Sequence, residues 1–147
     1  MTEERDKICA YLYQGSMPED WNEVWRTFDL VVSLDYVPEA AVGEGKVHLT
    51  WHIDDGEAPE DREMLWGLVK LIAESVRRGK RTLVHCGAGL NRSGLVCALI
   101  YRELTGCSGI EAVDQVRRCR KLSLFNTRFV SFIDALDRVA VENEAAP

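Results

Sequence analysis

"VHCGAGLNRSGL", residues 84–95, is the stretch on which the reading of this chain turns. Cys86 stands between a strand-like apolar run, "RTLVH" (81–85), and a largely apolar helix-like run, "SGLVCALIYRELTG" (93–106). The chain must turn sharply between the two, and Gly87 and Gly89 tolerate backbone angles and close approaches that a side chain blocks. A strand entering a helix through such a turn is a unit of an α/β layered fold, whose ligands gather beyond the carboxyl ends of the strands. Cys86 falls there.

Working outward, the pattern repeats. "ICAYLYQG" (8–15) reads as an opening strand closed by Gly15, and "PEDWNEVWRTF" (18–28) as a short helix with proline and acids at its start. "DLVVSL" (29–34) and "KVHLTWHI" (46–53) read as strands separated by a loop. Residues 60–78 carry apolar side chains at 64, 65, 68, 69, 72 and 76, a helical stripe that ends in Arg77 and Arg78 before Gly79. Two more helices are expected near 108–119 and 126–140, and the tail 141–147 is expected to fray. Alternating strands and helices predict a central, mainly parallel sheet flanked by helices, in a single domain over residues 1–147.

The bulk numbers narrow the class. At 147 residues with 46% apolar content the chain can bury one core, and no apolar run reaches membrane-spanning length. The charged opening "MTEERDKICA" lacks the apolar stretch of a secretory signal. Five cysteines with no paired spacing read as reduced thiols, hence a cytoplasmic protein. A formal charge of −6 argues against a general nucleic-acid binder, so an anionic ligand must be held by a local field.

The cysteine turn supplies that field. Its successive N–H groups can form an anion-binding nest beside the positive helix end, from Gly87, Ala88, Gly89, Leu90 and Asn91 to Arg92. Arg92 adds a planar fork suited to a tetrahedral oxyanion. Helix N-termini and adjacent cations also stabilise a thiolate, so a loop that binds phosphate ionises its own nucleophile. The chemistry implied is phosphoryl transfer to Cys86 followed by hydrolysis, with His85 steadying the loop and Ser93 donating to the sulfur. Cys97, Cys107 and Cys119 read instead as small core residues.

"HCGAGLNRSG" (85–94) fits H-C-x-x-G-x-x-R-S/T-G and resembles the active-site motif of the protein tyrosine phosphatase superfamily. The short chain resembles its dual-specificity group. "YLYQGSMP" (11–18) is similar to the "LYLGS" opening of those domains, and "FNTRFVSFI" (125–133) to their late Asn-x-x-Phe helix start, which marks Asn126 as a supporting residue. The resemblance implies a dual-specificity-like fold and a cysteine-dependent phosphomonoesterase with a phosphocysteine intermediate. It implies phosphorylated proteins or peptides as substrates, and no cofactor.

A phosphomonoester also needs an acid for its leaving oxygen. "WHIDDGEAPED" (51–61) offers several carboxyl groups, and the family has an aspartate on a loop about this far before the cysteine. Asp55 is preferred because "DGEAP" resembles a D-G-x-x-P pattern of some relatives; Asp54 is the alternative. Glu57, Glu60 and Asp61 suit a solvated helix start. His48 and His52 could share one strand face, but they lack further ligands and no metal is expected. Arg92 is the loop's only cation, which disfavours a phosphoinositide phosphatase. "GLNRSG" also resembles the RNA 5′-triphosphatase branch, and "VRRCRK" (116–121) is a local basic cluster that otherwise reads as a solvated helix end. That activity is the alternative, and a phosphate-binding pseudophosphatase the third reading.

Overall fold

The computed structural model describes residues 5–37 and 42–145, with side chains through residue 138. Its elements follow as β1 (Arg5–Cys9), β2 (Leu12–Gly15), α1 (Trp21–Thr27), β3 (Leu30–Ser33), β4 (Val47–Thr50), α2 (Arg62–Arg77), β5 (Thr82–His85), α3 (Arg92–Thr105), α4 (Gly109–Cys119) and α5 (Thr127–Ala145). The strands lie in the order β1-β2-β5-β3-β4. β5 runs parallel to both β2 and β3, β3 parallel to β4, and only β1 antiparallel to β2.

Two expectations need correcting. The single opening strand is a hairpin: the chain turns between β1 and β2 with Tyr11 at φ 69°. A bulky residue rarely adopts that angle, and no Gly, Pro, Asn or Asp marks the turn in "ICAYLYQG". The last helix runs from Thr127 to Ala145, longer than the 126–140 expected; residues 146–147 lie outside the described residues.

Period-two alternation divides the core between the sheet's faces. Val31 and Leu83 turn to one side, where Val24 and Trp25 of α1 and Phe28 just after it cover them. Leu30, Val32 and Val84 turn to the other, against Leu65, Leu68, Val69 and Ile72 of α2 and the α3 run from Leu95 to Ile100. α3 is thereby the central helix; Ser93 through Ile100 are buried in one unbroken run. Phe129 and Ile133 of α5 close the same cluster. Burying one such leucine or phenylalanine stabilises the fold by about 1.5–3 kcal/mol.

Register brings the site together. Gly15 of β2 and Ser33 of β3 both pair with His85 at the carboxyl end of the central strand. The residues that follow these three strands must therefore meet over one edge. Cys86 is one of them.

Candidate active site

The turn from Cys86 to Arg92 is held from outside by its carbonyl oxygens. Gly87 O accepts from Met17 N (3.1 Å) and Leu90 O from Leu124 N (3.1 Å). Arg120 Nη2 donates to Ala88 O (3.3 Å) and Arg120 Nε to Gly89 O (2.6 Å), which also accepts from Gln14 Nε2 (3.0 Å). The peptide bonds are trans, so each following N–H points the opposite way. The N–H groups of Ala88, Gly89, Leu90 and Asn91 are thus turned to the other side of the loop. Gly89 sits at φ 71°, and a Cβ there would lie 2.4 Å from the Gly15 carbonyl carbon, so no side chain fits.

α3 starts at Arg92 with Asn91 as its N-cap residue, yet no side chain caps it. The Asn91 side chain has other partners. Its Nδ2 donates to Asp55 Oδ2 (3.0 Å), and its Oδ1 accepts from Asn126 N (3.0 Å). Asn126 Nδ2 donates to the other Asp55 oxygen (2.8 Å) and to Gly56 O (3.0 Å). Two amides from separate elements therefore fix the Asp55 carboxyl beside the loop. Asp54 is exposed and lines a separate hollow with Trp51 and Pro59, away from these amides.

Cys86 is buried, and its Sγ lies 3.4 Å from the Ser93 hydroxyl, which also accepts from Gln14 Nε2 (3.2 Å). Arg92 Nη2 donates to Asp35 Oδ2 (3.0 Å) and Nη1 to Ile53 O (3.3 Å), orienting the guanidinium between two strand ends. Partial burial pushes the Asp35 carboxyl up. The Tyr36 N–H, Arg92 and His52 outweigh that and hold it below the usual carboxylate range.

Behind the cysteine, Ser33 Oγ joins two imidazoles, 2.6 Å from His85 Nε2 and 2.8 Å from His48 Nε2. Burial drives His85 down to about 4 against the opposing pull of the Cys86 backbone, and it lowers His48 as well. Both rings are neutral near pH 7. His48 packs on Trp21 and Trp25, while His52 Nε2 faces Asp35 Oδ1 at 3.7 Å, so the two histidines serve different neighbours. Among the described residues no cluster of three or more potential metal ligands exists.

The basic run "VRRCRK" is not simply a solvated helix end. Arg120 is 5% exposed and ties the loop to Asp6 of β1 through Nη1 (2.9 Å). Arg117 donates to the carbonyls of Ser123 and Leu124. These bonds close the α4–α5 turn, where Leu122 (φ 71°) and Leu124 (φ 59°) are left-handed, a conformation costing L-residues about 1–2 kcal/mol each. No sequence motif marks Gln14, Asp35, Ser33 or Arg120 as part of this site. The one legible hint was Gln14's place inside "YLYQGSMP".

A protein-tyrosine phosphatase family model matches residues 13–134. The chain is 31% identical to Tk-PTP, solved in its active form, with a TM-score of 0.78 over 91% of this chain and 96% of that one. It is 26% identical to the protein named as tyrosine phosphatase 123R of Invertebrate iridescent virus 6, across 92% of this chain and 93% of the viral one. Human DUSP28 shares the fold at 19% identity, with a TM-score of 0.79 over 96% of this chain and 97% of that one.

Proposed function

Since the chain belongs to the protein-tyrosine phosphatase family and is a phosphatase of dual-specificity-like fold, we propose that it hydrolyses phosphotyrosine, and phosphoserine or phosphothreonine, in proteins and peptides through a phosphocysteine on Cys86. The observation that carries the reading is the outward anchoring of four successive loop carbonyls. It turns four N–H groups to the inner side of the loop that follows Cys86, beside an uncapped helix end. Such an array suits the three non-bridging oxygens of a phosphoryl group.

In this mechanism the Cys86 thiolate attacks phosphorus, forming the S–P bond as the ester P–O bond breaks. The loop N–H groups and the Arg92 fork neutralise the equatorial oxygens, and Asp35 keeps that fork aimed. Asp55, held by Asn91 and Asn126, gives its proton to the departing oxygen. The same carboxylate then takes a proton from water as water attacks phosphorus. The S–P bond breaks, inorganic phosphate leaves, and the Ser93 hydroxyl donates to the departing sulfur. Every step uses a group of the chain itself.

Asp55→Asn tests the assignment. Turnover of phosphotyrosine peptide should fall about 10²-fold, within the usual range for a general acid, and Asp54→Asn should fall far less. The measurement is initial rates on phosphotyrosine, phosphothreonine, phosphoinositide and triphosphorylated RNA. If the RNA turns over fastest and Asp55→Asn changes nothing, the monoesterase reading fails in favour of a 5′-triphosphatase. The burial of Arg120 against the loop weighs against that outcome, because it removes one cation from an RNA-facing patch.

A further inference from the structure

Leu122 and Phe125 are large apolar side chains exposed by 78% and 65%, side by side in the α4–α5 turn. Single exposed leucines are ordinary. Leu122 is less so, because its φ of 71° is an angle that glycine or asparagine would adopt without strain. With Leu90 of the phosphate-binding loop these two line a hollow of about 510 Å³, to which Lys121 and Arg117 add positive charge. The turn is tied to the loop by Leu124 N on Leu90 O (3.1 Å) and Asn126 N on Asn91 Oδ1 (3.0 Å). The hollow thus shares a wall with the proposed catalytic mouth. It joins apolar surface to local positive charge on a chain of net charge −6.

We infer that this hollow receives a large aliphatic or aromatic side chain of the substrate peptide, flanking the phosphorylated residue, with an acidic neighbour facing Lys121. The inference rests on the phosphopeptide reading and specifies its substrate. The shared wall at Leu90 sets the reach: the side chain lies within about three residues of the phosphorylated one, on the order of 10 Å of extended chain. Apolar contact supplies selectivity here, and the cations reject peptides that carry basic neighbours.

The test compares two phosphotyrosine peptides, one with leucines flanking the phosphotyrosine and one with serines, alongside a small aryl phosphate. Wild-type enzyme should favour the leucine peptide about tenfold in kcat/KM, the low end of what one apolar pocket gives, and mostly through KM. The variant L122G/F125S should lose that preference while keeping its aryl phosphate rate. Leu122→Gly alone, which the left-handed backbone accepts, repeats the comparison should the double variant fail to fold. Equal rates on both peptides, or a preference that survives in both variants, overturns the inference and leaves the phosphatase reading intact. Hydrolysis of phosphoinositide in vesicles that the variants lose, with peptide rates unchanged, assigns the hollow to lipid and overturns it too. If no phosphomonoester is hydrolysed, the proposed function falls and this inference with it.

Discussion

Helix α4 begins closed and helix α3 begins open. At α4 the Ser108 hydroxyl accepts from Glu111 N (3.1 Å), and the Glu111 carboxylate accepts from Ser108 N (3.2 Å), a reciprocal box that satisfies two otherwise orphaned donors. At α3 the N-cap residue is asparagine, a type well able to cap, yet its side chain reaches to Asp55 and to Asn126 N. Both helices carry the same partial positive charge at their first turn. In α4 that charge is spent on stability. In α3 no side chain caps it, and Ser93 of its first turn lies 3.4 Å from the Cys86 sulfur.

Cys86→Ser breaks this comparison most sharply. Turnover should fall by on the order of 10⁴-fold or more, as when a catalytic nucleophile is removed. Binding of a phosphopeptide, measured by equilibrium titration, should persist because the N–H array and Arg92 remain. Substantial turnover in this variant would sink the covalent mechanism.

A smaller effect comes from the histidine that leads into the open end. His85 has a folded-state pKa of about 4 against an ordinary 6.5, so between those pH values the unfolded chain binds more protons than the folded one. Stability should be flat with His85 above pH 6.5, decline as pH falls through that window, and level near pH 4 after a loss of up to about 3 kcal/mol. Thermal unfolding across that range checks it. His85→Gln should remove most of the slope, leaving the part due to His48, whose pKa is lowered in the same direction. An unchanged slope in the variant refutes the buried neutral imidazole.

Ser108→Ala should give the mildest result, a loss of about 1 kcal/mol of stability from the opened cap. Turnover of a small aryl phosphate should stay the same. A fall in kcat would show that the closed end of α4 also serves the site, and the contrast between the two helices would lose its meaning.

Much of the site is legible because it is local. Cys86, the loop glycines, Arg92 and Ser93 lie in eight consecutive residues of "CGAGLNRS", and a strand–turn–helix path leaves that segment few geometries. In the sequence only a resemblance separates Asp55 from Asp54. The geometry that separates them comes from Asn91 and Asn126, which reach Asp55 from two other elements. Arg120 read as part of a surface run because charge patterning cannot tell which arginine of a helix end turns inward.

By itself the sequence determined the alternation of strands and helices, the mainly parallel sheet, and the position of a thiol at the mouth of a helix. Apolar periodicity and glycine placement act over a few residues, so they survive without a fold around them. Only the tertiary structure decided that the opening segment folds into a hairpin. It alone set β5 between β2 and β3, so that Gln14 and Asp35 close on a loop far along the chain. It also decided that Arg120 is the buried brace of that loop. These are partnerships between distant residues, set by strand order and register, and no local pattern encodes which strand will lie beside which.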